Sequence, residues 1–290
     1  MSADAPARGA LWMIGAIVAF SAMAVAGRAV SFELDTFEIM MYRSFIGIVV
    51  VLAVAGAAGT LREVNRRNLG LHAVRNLAHF FGQNCWFYAL TLIPLAQLFA
   101  LEFTSPIWVL LLAPIFLSER LTWAKVGFAA MGFLGVLIVA RPNFTSLEPG
   151  IVVGAAAAIG FAGSAIFTKL LTRTETITCI LFYLTVMQAV FGVICAGIDG
   201  DVALPSAASL PWLVTIGFCG LIAHFCLTKA LTLAPASVVM PVDFVRLPAI
   251  ALIGMLLYDE GLDALVFLGA AIIFAANYLN ILREARMAKM

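Results

Sequence analysis

Charge is scarce in this chain. Its 17 Lys and Arg and 16 Asp and Glu amount to 11% of 290 residues, where a soluble domain carries roughly a quarter. With a net charge of +1 and basic residues scattered among short segments, there is no basic face to bind nucleic acid. Cysteine supplies no framework either: Cys85, Cys179, Cys195, Cys219 and Cys226 are odd in number, lie in apolar runs and form no C-x-x-C. Burial explains them better than a disulfide scaffold or a metal site at Cys219, His224 and Cys226. Also missing are a phosphate-binding loop, a Ser-His-Asp set in readable loops and a haem motif, so catalysis and a bound cofactor have no local support.

What the chain has is apolar sequence, 63% of it, which makes lipid its solvent. A hydrocarbon core about 30 Å thick takes roughly 20 apolar residues per helix. Ten such runs are read near 9–31, 36–57, 69–92, 95–117, 123–140, 149–170, 176–197, 209–232, 236–257 and 263–282. Backbone groups in lipid must be satisfied within the segment, so ten runs mean ten helices and an all-α polytopic membrane protein. Orientation follows from the basic residues. With the N-terminus inside, the cytoplasmic segments receive Arg8, Arg62, Arg66, Arg67, Arg120, Lys125, Lys169, Arg173, Lys229, Arg283, Arg286 and Lys289. The opposite loops receive mainly acids, among them Glu33, Asp35, Glu38, Glu148, Asp199, Asp201, Asp259, Glu260 and Asp263, with Arg28 and Arg141 as exceptions. Both termini are then cytoplasmic. Arg8 and the apolar run to Ala24-Val25-Ala26 imitate a cleaved secretory signal. The same segment aligns without a gap onto Gly150 to Lys169, deep in the chain, and is read as the first span.

That alignment is part of a duplication. At a constant offset of 141 residues, Ala89-Leu90-Thr91-Leu92, Pro94, Phe103, Glu119 and Leu121 fall on Ala230-Leu231-Thr232-Leu233, Pro235, Phe244, Glu260 and Leu262, and Glu102 falls on Asp243. Upstream, Phe20 meets Phe161, Tyr42 meets Tyr183 and Arg28 meets Lys169. A period this long is a duplicated half-protein rather than a solenoid unit, with a first repeat at 1–147 and a second at 148–290. Five spans per repeat is an odd number, so the second copy enters the membrane inverted relative to the first. Secondary transporters use that architecture to offer one central site to each side in turn.

Ionisable residues inside spans are costly and mark a pathway or a paired interior site. Here they are Arg43, Arg75, His79, Glu102, His224, Asp243 and Arg246. In the third span Arg75, His79, Gln83 and Trp86 recur at helical spacing and form one polar stripe, facing a water-filled cavity or serving as interhelical glue. Arg75 lies near the boundary, where its side chain can snorkel. Glu102 and Asp243 are each followed closely by a proline, Pro106 and Pro248, and proline kinks a helix beside the acid. The bland alternative pairs Asp243 with Arg246, and Glu102 with Arg43, as structural ion pairs. Ser164 shares a face with Gly160, Phe167 and Thr168, and His224 with Gly217, Leu221 and Thr228. Met23, Phe99 and Trp108 are candidates for an apolar wall. The candidate substrate site is therefore Met23, Tyr42, Arg43, His79, Gln83, Trp86, Phe99, Glu102, Ser164, His224, Asp243 and Arg246, while Gly15, Gly27, Gly127 and Gly132 are read as packing positions.

The two segments ALTLIP-x(7)-E-x(16)-E-R-L and ALTLAP-x(7)-D-x(16)-E-G-L, each followed by a glycine-containing last helix, resemble the EamA family of the drug/metabolite transporter superfamily. The likeness covers the whole chain and extends, among branches, to exporters of aromatic and other amino acids. It implies a ten-helix carrier of the bacterial inner membrane that exports small amphipathic metabolites by alternating access, with protons as possible coupling partners. It also implies that Glu119 and Glu260 mark the scaffold rather than the substrate site. Gly261 stands where the first repeat has Arg120, so the two halves of the site need not match. The rival readings are a carrier of nucleotide sugars or organic anions, a membrane-embedded lipid enzyme and a channel.

Overall fold

A computed structural model describes residues 5–117, 122–141, 148–198, 200–234, 239–261 and 263–287. The described residues are helical apart from short connections. The first repeat supplies α1 (Ala5–Val30), α2 (Thr36–Ala57), α3 (Leu69–Leu92), α4 (Leu95–Glu102), α5 (Ser105–Phe116) and α6 (Trp123–Ala140). The second supplies α7 (Pro149–Leu171), α8 (Ile177–Ala196), α9 (Leu210–Leu233), α10 (Arg246–Tyr258) and α11 (Ala264–Met287), with a 3₁₀ stretch at Met240–Val245 ahead of α10. The fourth and ninth spans are thus each built of two pieces, and the last span continues beyond the apolar run that marks it in the sequence. Glu119, Arg120, Asp199, Pro235 and Lys289, all part of the sequence reading, lie outside the described residues.

Local chemistry fixes the ends. Asp35 caps α2 with a reciprocal box: Glu38 N donates to Asp35 Oδ1 and Asp35 N donates to Glu38 Oε2, both at 2.8 Å. Its repeat mate Thr176 caps α8 by accepting from Cys179 N at 3.3 Å. Such caps satisfy amide groups that a helix start leaves orphaned. The break between α4 and α5 falls where Pro106 can offer no N–H to the Glu102 carbonyl one turn back.

Outward side chains are apolar and meet lipid: Leu11, Ile14 and Val18 on α1, Leu77 and Phe81 on α3, and Ile115 on α5 are all exposed. Inward, helices pack where side chains vanish. A Cβ on Gly160 of α7 would sit 2.7 Å from Gly82 Cα of α3, and one on Gly135 of α6 would sit 2.7 Å from the Gly269 carbonyl of α11. Small residues of this kind let membrane helices approach to backbone contact. Gly15 and Gly27 are tightly packed and Gly132 lies in ordinary contact with Ile107, whereas nothing lies near Gly127, which is not a packing position.

The contacts also establish inversion. Gly47 of α2 meets Thr185 of α8, and Gly192 of α8 meets Met41 of α2, so these repeat-equivalent helices run antiparallel. In α6 and α11, Gly132 faces Ala276 while Gly135 faces Gly269 and Ile273, which is again antiparallel. The main remaining packings, α1 on α9 and α3 on α7, exchange into each other under the repeat. Even single hydrogen bonds are duplicated. Arg28 donates to the Leu90 and Ile93 carbonyls at the end of α3, and its mate Lys169 donates to the Leu231 and Ala234 carbonyls at the end of α9.

Candidate functional site

The polar stripe of α3 turns inward: His72, Arg75, Asn76, His79, Gln83 and Trp86 are all at most 2% exposed. Val74, Leu77, Phe81 and Tyr88, on the other side of the same helix, face out. Arg75 therefore does not snorkel. Its Nε donates to Thr168 Oγ1 of α7 and its Nη1 to Asn76 Oδ1, both at 3.0 Å, because α7 runs alongside and offers an acceptor where lipid offers none.

Glu102 ends α4 at the break, where its carboxylate binds two partners. Trp86 Nε1 donates to Oε2 at 2.7 Å, and Arg246 Nη2 donates to Oε1. The same Nη2 donates to Asp243 Oδ2 at 2.5 Å. The Arg246 guanidinium also lies over the rings of Phe99 at 4.7 Å, Phe20 at 5.0 Å and Phe103 at 5.4 Å, a desolvated cation in an aromatic cage. The acids of the two broken spans, equivalent under the repeat, thus share one arginine. Sequence reasoning offered Arg43 as the partner of Glu102, and the structure corrects this: Arg43 Nη1 instead donates to Gln83 Oε1 at 2.6 Å.

Beside this triad stand two histidines. His79 of α3 and His224 of α9 lie edge to face with ring centroids 4.5 Å apart; Ser164 Oγ is 3.4 Å from His79 Nδ1 and Phe20 abuts His224. His79 Nε2, both nitrogens of His224, Asp243 Oδ1 and Arg246 Nε are buried without a hydrogen-bond partner. Buried polar groups left unpaired are expensive, and five in one place mark a position for water or a polar ligand.

These residues line a cavity of about 70 Å³, room for a handful of waters at roughly one per 10–15 Å³. Met23, His79, Gln83, Trp86, Glu102, Ser164, His224, Asp243 and Arg246 all border it. Met13 of α1, Thr168 of α7 and Thr228 of α9 extend it toward the face where α1 begins and α7 and α9 end. Phe99 sits behind the lining, stacked edge-on to Trp86, and Arg43 reaches the site only through Gln83. Tyr42 is not part of the cavity: its hydroxyl donates to the Ala203 carbonyl at 2.8 Å, tying α2 to the loop before α9. Trp108 does not line the cavity but packs against an apolar cluster that includes the lining residues Met13 and Ala165. Cys219, His224 and Cys226 do not converge as ligands, and all five cysteines are unpaired.

Sequence reasoning missed Phe20, Phe103 and Phe161 as cavity residues. The signal was available, because Phe20 pairs with Phe161 and Phe103 with Phe244 in the duplication. Among the described residues the acids of the site number two, Glu102 and Asp243, against Arg43, Arg75 and Arg246, and neither Arg43 nor Arg75 forms an ion pair.

On the face where α1 ends, the two halves are tied together. Arg28 pairs with Glu260, whose two carboxylate oxygens accept Leu95 N at 3.1 and 3.0 Å, so a residue of the second half caps α4 of the first. Arg141, the other basic exception, pairs with Asp263. Pairing and helix capping explain why both arginines stand among acids.

The model of the EamA-like transporter family matches residues 7–141 and 148–282. Similar proteins include an S-adenosylmethionine uptake transporter of Rickettsia felis, 28% identical over 275 residues covering 95% of this chain and 92% of that one. A riboflavin transporter of Vibrio cholerae is 30% identical, covering 92% and 91%. A pseudopaline exporter of Pseudomonas aeruginosa is 28% identical, covering 92% and 94%. One crystal structure superposes with a TM-score of 0.74 at 18% identity, covering 97% of this chain and 99% of that one, and supports the fold alone.

Proposed function

The chain belongs to the EamA-like transporter family, and on that premise we propose that it carries small amphipathic metabolites with an amino-acid head group across the plasma membrane by alternating access. A transporter of small molecules, not an enzyme, is what family and relatives have in common. The finer reading rests on one observation: charges of both signs and unpartnered polar atoms meet at the breaks of two equivalent spans, beside an aromatic cage.

A zwitterion needs an acid for its ammonium and a base for its carboxylate. Glu102 and Asp243 supply the first; Arg75 and Arg246 supply the second on the cavity wall. Met23, Phe20 and Trp86 take an apolar or aromatic body. A bound zwitterion replaces the internal Glu102–Arg246–Asp243 pairing with pairs of its own, and that exchange lets binding loosen contacts between the two halves, which we place at 1–147 and 148–290. A ligand moves such an equilibrium only through its different affinity for the two states. The amino-acid head joins the sequence-based expectation of amino-acid export to the relatives named for S-adenosylmethionine, which bears the same group. Export is the direction we assign, with both termini in the cytoplasm and His79, His224 and Glu102 as the groups able to pass a proton.

Counterflow in proteoliposomes tests this. Labelled aromatic amino acids or S-adenosylmethionine are expected to exchange and to compete with one another, whereas riboflavin, with neither ammonium nor carboxylate, is expected not to. Exchange of riboflavin without any amino-acid exchange overturns the head-group reading, and a rate independent of pH removes the proton.

A further inference from the structure

A second cluster of chemically capable side chains lies away from the cavity, where the start of α3, the start of α8 and the loop at 61–68 meet near the face where α1 begins. His72, Glu175 and Cys179 are buried there, and one ligand atom from each lies within 4.8 Å of the others. We propose that these three residues form a binding site for a divalent metal of borderline softness, zinc being the type, which ties the first half of the transporter to the second.

The donor set is the first argument. One imidazole, one thiolate and one carboxylate suit Zn²⁺ and its late first-row neighbours, and are foreign to Mg²⁺ or Ca²⁺, which take oxygen ligands. Geometry is the second. Cys179 Sγ and His72 Nε2 are 3.9 Å apart. Tetrahedral bonds of about 2.3 Å to sulfur and about 2.0 Å to nitrogen would place them ~3.5 Å apart, so a small side-chain movement closes the site. His72 Nδ1 has no hydrogen-bond partner, so freeing Nε2 as ligand breaks no bond at Nδ1, although its N–H is left without an acceptor. Orientation is the third. Asn65 Nδ2 and Asn68 Nδ2 donate to the two Glu175 oxygens at 2.7 and 2.5 Å, as outer hydrogen bonds do around a metal-ligating carboxylate. Each oxygen keeps a lone pair for the metal. Tyr183 completes the surround: its hydroxyl donates to the Asn65 carbonyl at 2.9 Å and its ring lies 4.5 Å from that of His72.

The repeat shows what is special to this face. Tyr183 and Cys179 grip the loop at Asn65 as their mates Tyr42 and Glu38 grip the loop at Ala203 on the other face, where Ala203 N donates to Glu38 Oε1 at 2.5 Å. The hydrogen-bonding acid of one latch is a thiol in the other. Cys179 binds as thiolate and releases its proton to water, the fourth position is left to water, and the bound ion cross-links α3 to α8. Metal then stabilises the arrangement seen here and slows the change of access.

The test is titration of purified full-length protein with Co²⁺, followed by its near-ultraviolet thiolate-to-metal band and by metal analysis after dialysis. Wild type is expected to bind one equivalent with the band, and Cys179→Ser, a one-atom change that leaves the fold intact, to lose the band. Asn65→Ala is expected to weaken binding about 10–100-fold, as outer-shell changes do. Zn²⁺ is expected to raise the melting temperature of wild type and not of Cys179→Ser. Absence of the band in wild type, or equal binding by wild type and Cys179→Ser, overturns the proposal whatever the transported substrate proves to be.

Discussion

Arg246 holds two carboxylates at once, and its removal separates structural from transport roles. Arg246→Met strands Glu102 and Asp243 side by side in a buried site, and breaking such a pairing costs about 3–5 kcal/mol; a large drop in melting temperature is the expected reading. Replacing all three charges together, as Glu102→Leu, Asp243→Leu and Arg246→Met, removes the stranded charges and is expected to recover most of that stability, since buried ion networks exchanged for apolar groups often lose nothing. Transport in proteoliposomes is expected to stay absent in the triple variant. A triple variant that transports normally would make the triad mere scaffold. The Asp243–Arg246 pair of this triad was legible in the sequence, and the partner of Glu102 was not. Asp243 and Arg246 are neighbours on one turn, but Glu102 lies 144 residues from Arg246, and no local spacing records that meeting.

At the level of helices, backbone contact at Gly82 and Gly160 holds α3 against α7 and so sets the cavity's width. Gly160→Val forces atoms into space that backbone occupies, and overpacking costs about 1–3 kcal/mol; lower thermal stability and impaired transport are expected, while Gly127→Ala, in open space inside α6, should leave transport unchanged and raise stability by about 0.5–1 kcal/mol. Connections contribute separately. Glu33 accepts Ser206 N at 2.5 Å and Ser206 Oγ at 2.9 Å, and these bonds, the backbone one first, hold its pKa below the ordinary 4.5. A depressed carboxylate pKa stabilises the folded state above the unfolded value and loses that contribution as pH falls through the folded one. The melting-temperature gap between wild type and Glu33→Gln should accordingly be open at neutral pH and close in acid below about 4.5. Helix placement was largely readable because apolar runs and caps are local. The 3₁₀ stretch before α10 was not, since Pro248 announces a kink but not its form.

Across the whole molecule, two inverted halves enclose a polar cavity that reaches toward the face where α1 begins, while Arg28, Glu260 and the start of α4 tie the halves together on the other face. The duplication made this arrangement legible before any coordinates, because an odd number of spans per copy dictates inversion. The tie on the other face was not, because Glu260 reads as a scaffold acid until Leu95 N and Arg28 are found against it. Alternating access requires the cavity to be reached from each side in turn. The most direct measurement places a single cysteine at Ser164 in a background without the five native ones, and labels it with a membrane-impermeant thiol reagent from either side of oriented vesicles. Labelling from the side where α1 begins without substrate, shifting to the opposite side or becoming protected when substrate is added, is the expected result. Labelling from neither side, or an unchanged pattern with substrate present, would contradict a shared central site.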